Sequence, residues 1–102
     1  MIDEGMRNKM IAKGVSKVMG VAHRMEKSRD LSYTKATIKI TNELEIEINA
    51  IRDDESTDEK LRGRIYEWEI YAIVNGKDVD GETVSSWNDL TPSVYYMLNC
   101  YI

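Results

Sequence analysis

Asp58, Glu59 and Lys60 set a carboxylate and a lysine two residues apart, half of the arrangement with which metal-dependent nucleases hold a divalent ion. Such a site needs its acid and lysine on a strand beside a second carboxylate. Here both fall in RDDESTDEK, a run too polar to be anything but a loop. The same run has carboxylates at calcium-like density. It lacks the glycine that turns an EF-hand loop, and the spacing of a 12-residue loop does not fit, so weak and unspecific divalent binding is the most it supports. The one histidine, His23, has no serine or cysteine at a telling spacing and reads as a surface or boundary residue. The one cysteine, Cys100, has no base to activate it, cannot form an internal disulfide, and reads as an inert, buried or half-exposed thiol. One His and one Cys do not make a four-ligand zinc set. No glycine-rich phosphate loop occurs. The expectation is therefore a non-enzyme with no catalytic residues, metal or cofactor.

What the sequence offers instead is charge. Glu43 to Glu59 carries eight carboxylates, at Glu43, Glu45, Glu47, Asp53, Asp54, Glu55, Asp58 and Glu59, against a single basic residue, Arg52. The net charge of -4 is unevenly spread: residues 1–30 hold seven Lys/Arg against four Asp/Glu, and residues 31–102 hold seven against fourteen. Two binding chemistries follow. An acidic surface suits a protein with a basic surface, in particular one that handles nucleic acid, where carboxylates can stand in for phosphates. A basic stripe at Lys9, Lys13, Lys17, Arg24 and Lys27 would suit nucleic acid itself, although no aromatic is interleaved with it and snorkelling lysine is the plainer account.

The elements that position these residues are legible from periodicity. Residues 5–28 read as one amphipathic helix with a stripe at Met6, Met10, Ile11, Val15, Val18, Met19, Ala22 and Met25. Asp3 caps its start. Gly14 and Gly20 each cost it about 1 kcal/mol relative to alanine. KATIKI and ELEIEINA alternate with period two and read as antiparallel strands turning near Thr41-Asn42, even-numbered residues inward, Lys39 opposite Glu45 and Thr37 opposite Glu47. A third strand runs from about Arg64 to Val74 with Tyr66, Trp68, Ile70, Ala72 and Val74 inward and Glu67, Glu69 and Tyr71 outward. Asn75-Gly76 is a hairpin signal into a weak fourth strand, Lys77 to Ser85. Thr91 caps a last short helix with Pro92 at its first position, Leu90 stapled to Tyr95, and an apolar stripe at Val94, Tyr95, Leu98, Tyr101 and Ile102. Trp68 reads as a core anchor, and Trp87 as a core-edge cap or an exposed anchor.

The fold class expected is α+β, a two-layer sandwich of order α-β-β-β-β-α over residues 1–102, one four-stranded antiparallel sheet with both helices on one face. The outer face then collects Glu43, Glu45, Glu47, Glu67 and Glu69, opposite or diagonal to one another across the second and third strands. Tyr71, Ile73 and Ile51 form an apolar island among them, with the carboxylates of residues 53–59 beyond the strand end. The long helix should overhang the sheet and leave Met6 or Met25 partly exposed, to be covered by dimerisation through that helix. No apolar run exceeds five residues, so neither a membrane span nor a signal segment is expected, and the cytoplasm is the default.

The hexapeptide DESTDE, Asp54 to Glu59, resembles an acidic inter-strand segment of the phage uracil-DNA glycosylase inhibitors, which mimic DNA. The likeness covers six residues of low-complexity type. The N-terminal segment and much stronger acidity of that family are not matched, and no residue role is transferred. The function expected is a small protein-binding inhibitor or adaptor acting through the acidic sheet face, of the phage counter-defence, anti-CRISPR or toxin-immunity kind. The alternative is a nucleic-acid-binding module using the helix stripe.

Overall fold

Asp3 starts the first element by accepting the Met6 N–H on Oδ1 at 2.7 Å, which satisfies one of the free amides of a helix start. In the computed structural model, which describes residues 3–102, the elements are α1 (Glu4–Lys27), β1 (Lys35–Lys39), β2 (Leu44–Arg52), β3 (Ile65–Val74), β4 (Lys77–Val84) and α2 (Trp87–Tyr101). The order is α-β-β-β-β-α, and the four strands form one open antiparallel sheet in chain order. Lys39 pairs with Glu45 and Thr37 with Glu47, as the alternation requires. Asn75 (φ 50°) and Gly76 (φ 81°) turn β3 into β4, both in the left-handed region that a tight primed turn needs.

Even-numbered residues of β2 face inward, so Leu44, Ile46, Ile48 and Ala50 join Trp68, Ile70 and Ala72 of β3 beneath the helices. Burial of Ile46, Ile48 and Ile70 is complete and stabilises by about 1.5–3 kcal/mol for each. Both helices cover this one face. Helix α1 contributes Ile11, Val18, Ala22 and Met25, and α2 contributes Leu90, Val94, Met97 and Leu98. Gly14 is where the helices close up: a Cβ there would stand 2.8 Å from Leu98 Cδ1 and 3.4 Å from Ile40 Cγ2.

Three expectations are corrected. Tyr66 is not core but 57% exposed, and Ile65 takes the inward position instead. The reason is a bulge: Ile51 pairs with Glu67 and Arg52 with Ile65, so Tyr66 is the extra residue and is thrown outward. Helix α2 begins one turn earlier than Thr91, capped by Ser86 Oγ accepting from Asn88 N at 3.1 Å. Pro92 therefore lies inside the helix rather than at its first position. With the earlier start, Tyr95 faces solvent (52% exposed), no Leu90–Tyr95 staple forms, and Met97 fills the core instead. Of the two methionines at the ends of α1, Met6 is exposed and Met25 fully buried.

Candidate functional site

The face of the sheet that no helix covers reads off the strand register as rows running from β1 to β4. One row is Lys39, Glu45, Ile73 and Asp78; the next is Thr37, Glu47, Tyr71 and Gly81; the third is Lys35, Asn49, Glu69 and Thr83. Ile51 and Glu67 pair beyond them. Parity thus gathers Glu45, Glu47, Glu67 and Glu69 on one rigid surface with Tyr71, Ile73 and Ile51. Glu43 lies just outside, exposed in the β1–β2 turn, its carbonyl accepting from Asn75 N at 2.8 Å.

The carboxylates are not stacked against one another as expected. Glu45 faces Ile73, Glu47 faces Tyr71, Glu69 faces Asn49 and Glu67 faces Ile51, so the diagonal pair Glu47–Glu69 is the one like-charge neighbour across β2 and β3 among the described residues. Directly opposed like charges would have cost up to about 1 kcal/mol a pair. The register avoids that cost by setting each acid beside an apolar or neutral side chain. Glu47 is also neutralised locally, with Lys35 Nζ 3.4 Å from its Oε1 and Asn49 Nδ2 donating to its Oε2 at 3.3 Å. Among the described residues, Glu45, Glu67 and Glu69 have no lysine or arginine within 4.0 Å.

Tyr71 sits at the centre. Its ring lies across Gly81, where a Cβ would approach Cδ1 and Cε1 to 2.9 Å. A glycine in the edge strand is thus covered by an aromatic from its neighbour. Partial burial pushes the Tyr71 phenol above its ordinary value, and Glu69, Glu47 and Asp78 push it in the same direction. It stays a neutral hydrogen-bond donor in the middle of an anionic field.

Beyond the end of β2, the acidic loop divides its carboxylates between two tasks. Asp53 Oδ1 accepts from Glu55 N (3.1 Å) and Ser56 N (3.0 Å), and Asp58 Oδ1 from Lys60 N (2.9 Å). These two fold the loop. Asp54, Glu55 and Glu59 are exposed. Asp58 and Lys60 therefore meet through the lysine's backbone in a turn, not side by side on a strand. Among the described residues no group of three or more His, Cys, Asp or Glu is placed to hold a metal ion.

Arg52, the single base of the acidic run, is 7% exposed and is not paired with a carboxylate. It donates from Nε to Tyr33 O (2.9 Å), from Nη1 to Ser28 O (2.8 Å) and Gly63 O (2.7 Å), and from Nη2 to Met25 O (2.8 Å). One guanidinium thus closes the C-terminus of α1, the loop into β1 and the acidic loop, with its positive charge where the helix dipole is negative. Arg7 does the same for α2, donating from Nε to Ile102 O at 3.1 Å and from Nη2 to Asn99 O. Neither role was expected. Both had a signal: Arg52 is even-numbered like the inward residues of β2, and Arg7 stands four residues before Ile11 on the buried side of α1.

Next to Arg52 a cleft of about 770 Å³ opens between the acidic loop, the start of β3 and the start of α2. Tyr66, Trp68 and Trp87 line it together with Glu26, Asp54 and Glu55. Trp87, 37% exposed, is tilted 56° against Trp68 at 6.0 Å and 51° against His23 at 6.2 Å.

On the opposite side of the molecule, Lys9, Lys13, Lys17, Arg24 and Lys27 are all exposed, away from the buried stripe of α1. Lys17 Nζ reaches Lys39 O at 3.5 Å. Cys100, expected to be at least half-buried, is exposed on α2, on the side of the helix away from the buried Val94, Met97 and Leu98. No helix is long and apolar enough to cross a membrane among the described residues. Comparison of the chain with protein-family models, with curated proteins and with solved structures finds no match.

Proposed function

We propose that the protein is a non-enzymatic binding protein whose uncovered sheet face docks on a basic surface of another protein, one that handles nucleic acid. The observation that carries this reading is the pattern on that face: Tyr71, Ile73 and Ile51 form an apolar centre, and around it, among the described residues, Glu67 and Glu69 have no cation opposite them while Glu45 has only Lys39 across the strand, with no ion pair formed. An apolar centre with a charged rim is the anatomy of a protein interface. A partner's lysines and arginines would supply the countercharge, and occupation of its nucleic-acid surface would inhibit it sterically and electrostatically. Asp54, Glu55 and Glu59 extend the rim past the strand end.

The test is capture from a lysate at low and high salt by the wild-type chain and by Glu45→Lys/Glu67→Lys. Basic proteins held by the wild type at low salt and lost by the folded variant support the reading; retention of the same proteins by both overturns it.

A second reading has its own observation, the five exposed cations along one side of α1. A nucleic-acid-binding surface there would bind DNA or RNA with a steep salt dependence. That binding would vanish on replacing Lys9, Lys13 and Lys17 with alanine. Self-association belongs to the exposed Met6 end of α1, and sedimentation over a concentration range reads it.

A further inference from the structure

We infer that the cleft beside Arg52 is a socket for an arginine side chain of a protein partner. Three features of the lining converge on that chemistry. First, it presents aromatic surface. Trp87 stands against both Trp68 and His23, so its ring does not have to be ordered on binding, and the β3 bulge turns Tyr66 outward beside the cleft. Exposed tryptophan and tyrosine faces attract cations, and guanidinium, planar and weakly hydrated, stacks on them better than ammonium. Second, the charge is complementary. Glu26, Asp53, Asp54 and Glu55 line the cleft against Arg52 and Arg64. The Arg52 guanidinium is already committed to four backbone carbonyls, which leaves Arg64 as the competing cation. Third, the exposed carboxylates Asp54 and Glu55 give a guanidinium fork acceptors at the mouth, while Asp53 is held by the loop's own amides. An arginine here would add a buried anchor to the flat contact of the sheet face, in the way hot-spot residues enter pockets. The socket stands on its own lining and does not need the sheet reading.

The experiment is a titration of the full chain with the blocked tripeptide Gly-Arg-Gly, followed by amide and indole chemical shifts. The expected result is saturable binding in the millimolar range, with shifts confined to residues 53–56, 66–68 and the Trp87 indole. Trp87→Ala is expected to weaken it by about 10-fold or more and Tyr66→Ser by about 3-fold or more. Tyr66 is exposed at a bulge, so its variant keeps the test open if Trp87→Ala unfolds. Glu45→Lys/Glu67→Lys should leave tripeptide affinity unchanged, which separates the socket from the sheet face. Blocked Gly-Lys-Gly should bind more weakly, and blocked Gly-Gln-Gly not at all. Equal binding of the arginine and glutamine peptides, shifts spread over the sheet face instead, or undiminished affinity in Tyr66→Ser would overturn the inference.

Discussion

Replacing Arg52 with methionine keeps a long apolar stem and removes the donors. Four carbonyls, of Met25, Ser28, Tyr33 and Gly63, then lose a charged partner at once. A hydrogen bond to a charged group is worth about 1.5–3 kcal/mol, so four would give about 6–12 kcal/mol if they were independent. They are not, since one group makes them all, and what the substitution leaves behind is neutral carbonyls, each costing about 1–3 kcal/mol only where it stays buried and unsatisfied. Burial acts against the guanidinium and lowers its pKa, with Asp30 and Glu26 opposing, so the net worth of the four bonds is below the gross sum. Arg52 itself lines the open cleft, so water can follow when the guanidinium is removed and offset part of the loss. About 3 kcal/mol is the balance, or a fall of about 12–24 °C in melting temperature for a domain of this size. Lysine should recover less than half, because an ammonium cannot span four acceptors. Thermal melts by circular dichroism measure both, and hydrogen exchange should show residues 28–34 and 53–64 opening first. A melting temperature for Arg52→Met within about 4 °C of wild type would refute the assignment of Arg52 as the tie between these segments.

Gly20→Ala should stabilise by about 0.5–1 kcal/mol, since only Arg24 Nη1 lies near, at 4.0 Å. Gly14→Ala should give no such gain, because its methyl would meet Leu98 Cδ1 at 2.8 Å; denaturant melts compare the two. Gly63→Ala should destabilise by about 2 kcal/mol or more, as φ is +81° and a Cβ would lie 2.6 Å from the Arg29 carbonyl oxygen. The same melts read it. Asp30 is held below its ordinary 3.8 chiefly by the Ser32 hydroxyl and amide, so its contribution is complete above about pH 4 and is lost as pH falls through the lowered value. The melting-temperature gap between wild type and Asp30→Ala should accordingly narrow only on the acid side.

Period-two alternation carried most of the fold. Ile46 and Ile48 have to share a face, and Glu45 and Glu47 follow onto the other whatever their partners are. Register is a different kind of fact. The β2–β3 connection is a loop folded by Asp53, Asp58 and Gly63, and nothing in its composition sets Glu45 opposite Ile73 rather than opposite an acid. The outward turn of Tyr66 comes from a bulge, a defect in pairing that single-strand periodicity cannot contain. The start of α2 was readable, because Ser86 and Asp89 stand three apart as cap and first-turn acid, but Thr91-Pro92 offered a competing start and Pro92 is a rare guest inside a helix. Arg52 was legible by parity, being even-numbered like the inward residues of β2, but nothing in its charge pointed to the four backbone carbonyls that take it. The cleft gathers Glu26, Tyr66 and Trp87, far apart in the chain, and only the assembled fold brings them together.

The account rests on the uncovered sheet face as an electrostatic docking surface. Its most direct test is the association rate of a partner recovered by low-salt capture, measured across ionic strength with wild type and with Glu45→Lys/Glu67→Lys. Steered association predicts a wild-type rate that falls steeply with salt, and a variant slowed by about 10-fold or more at low salt while its melting curve is retained. A variant that associates within about twofold of wild type at low salt, where such steering is least screened, would contradict it.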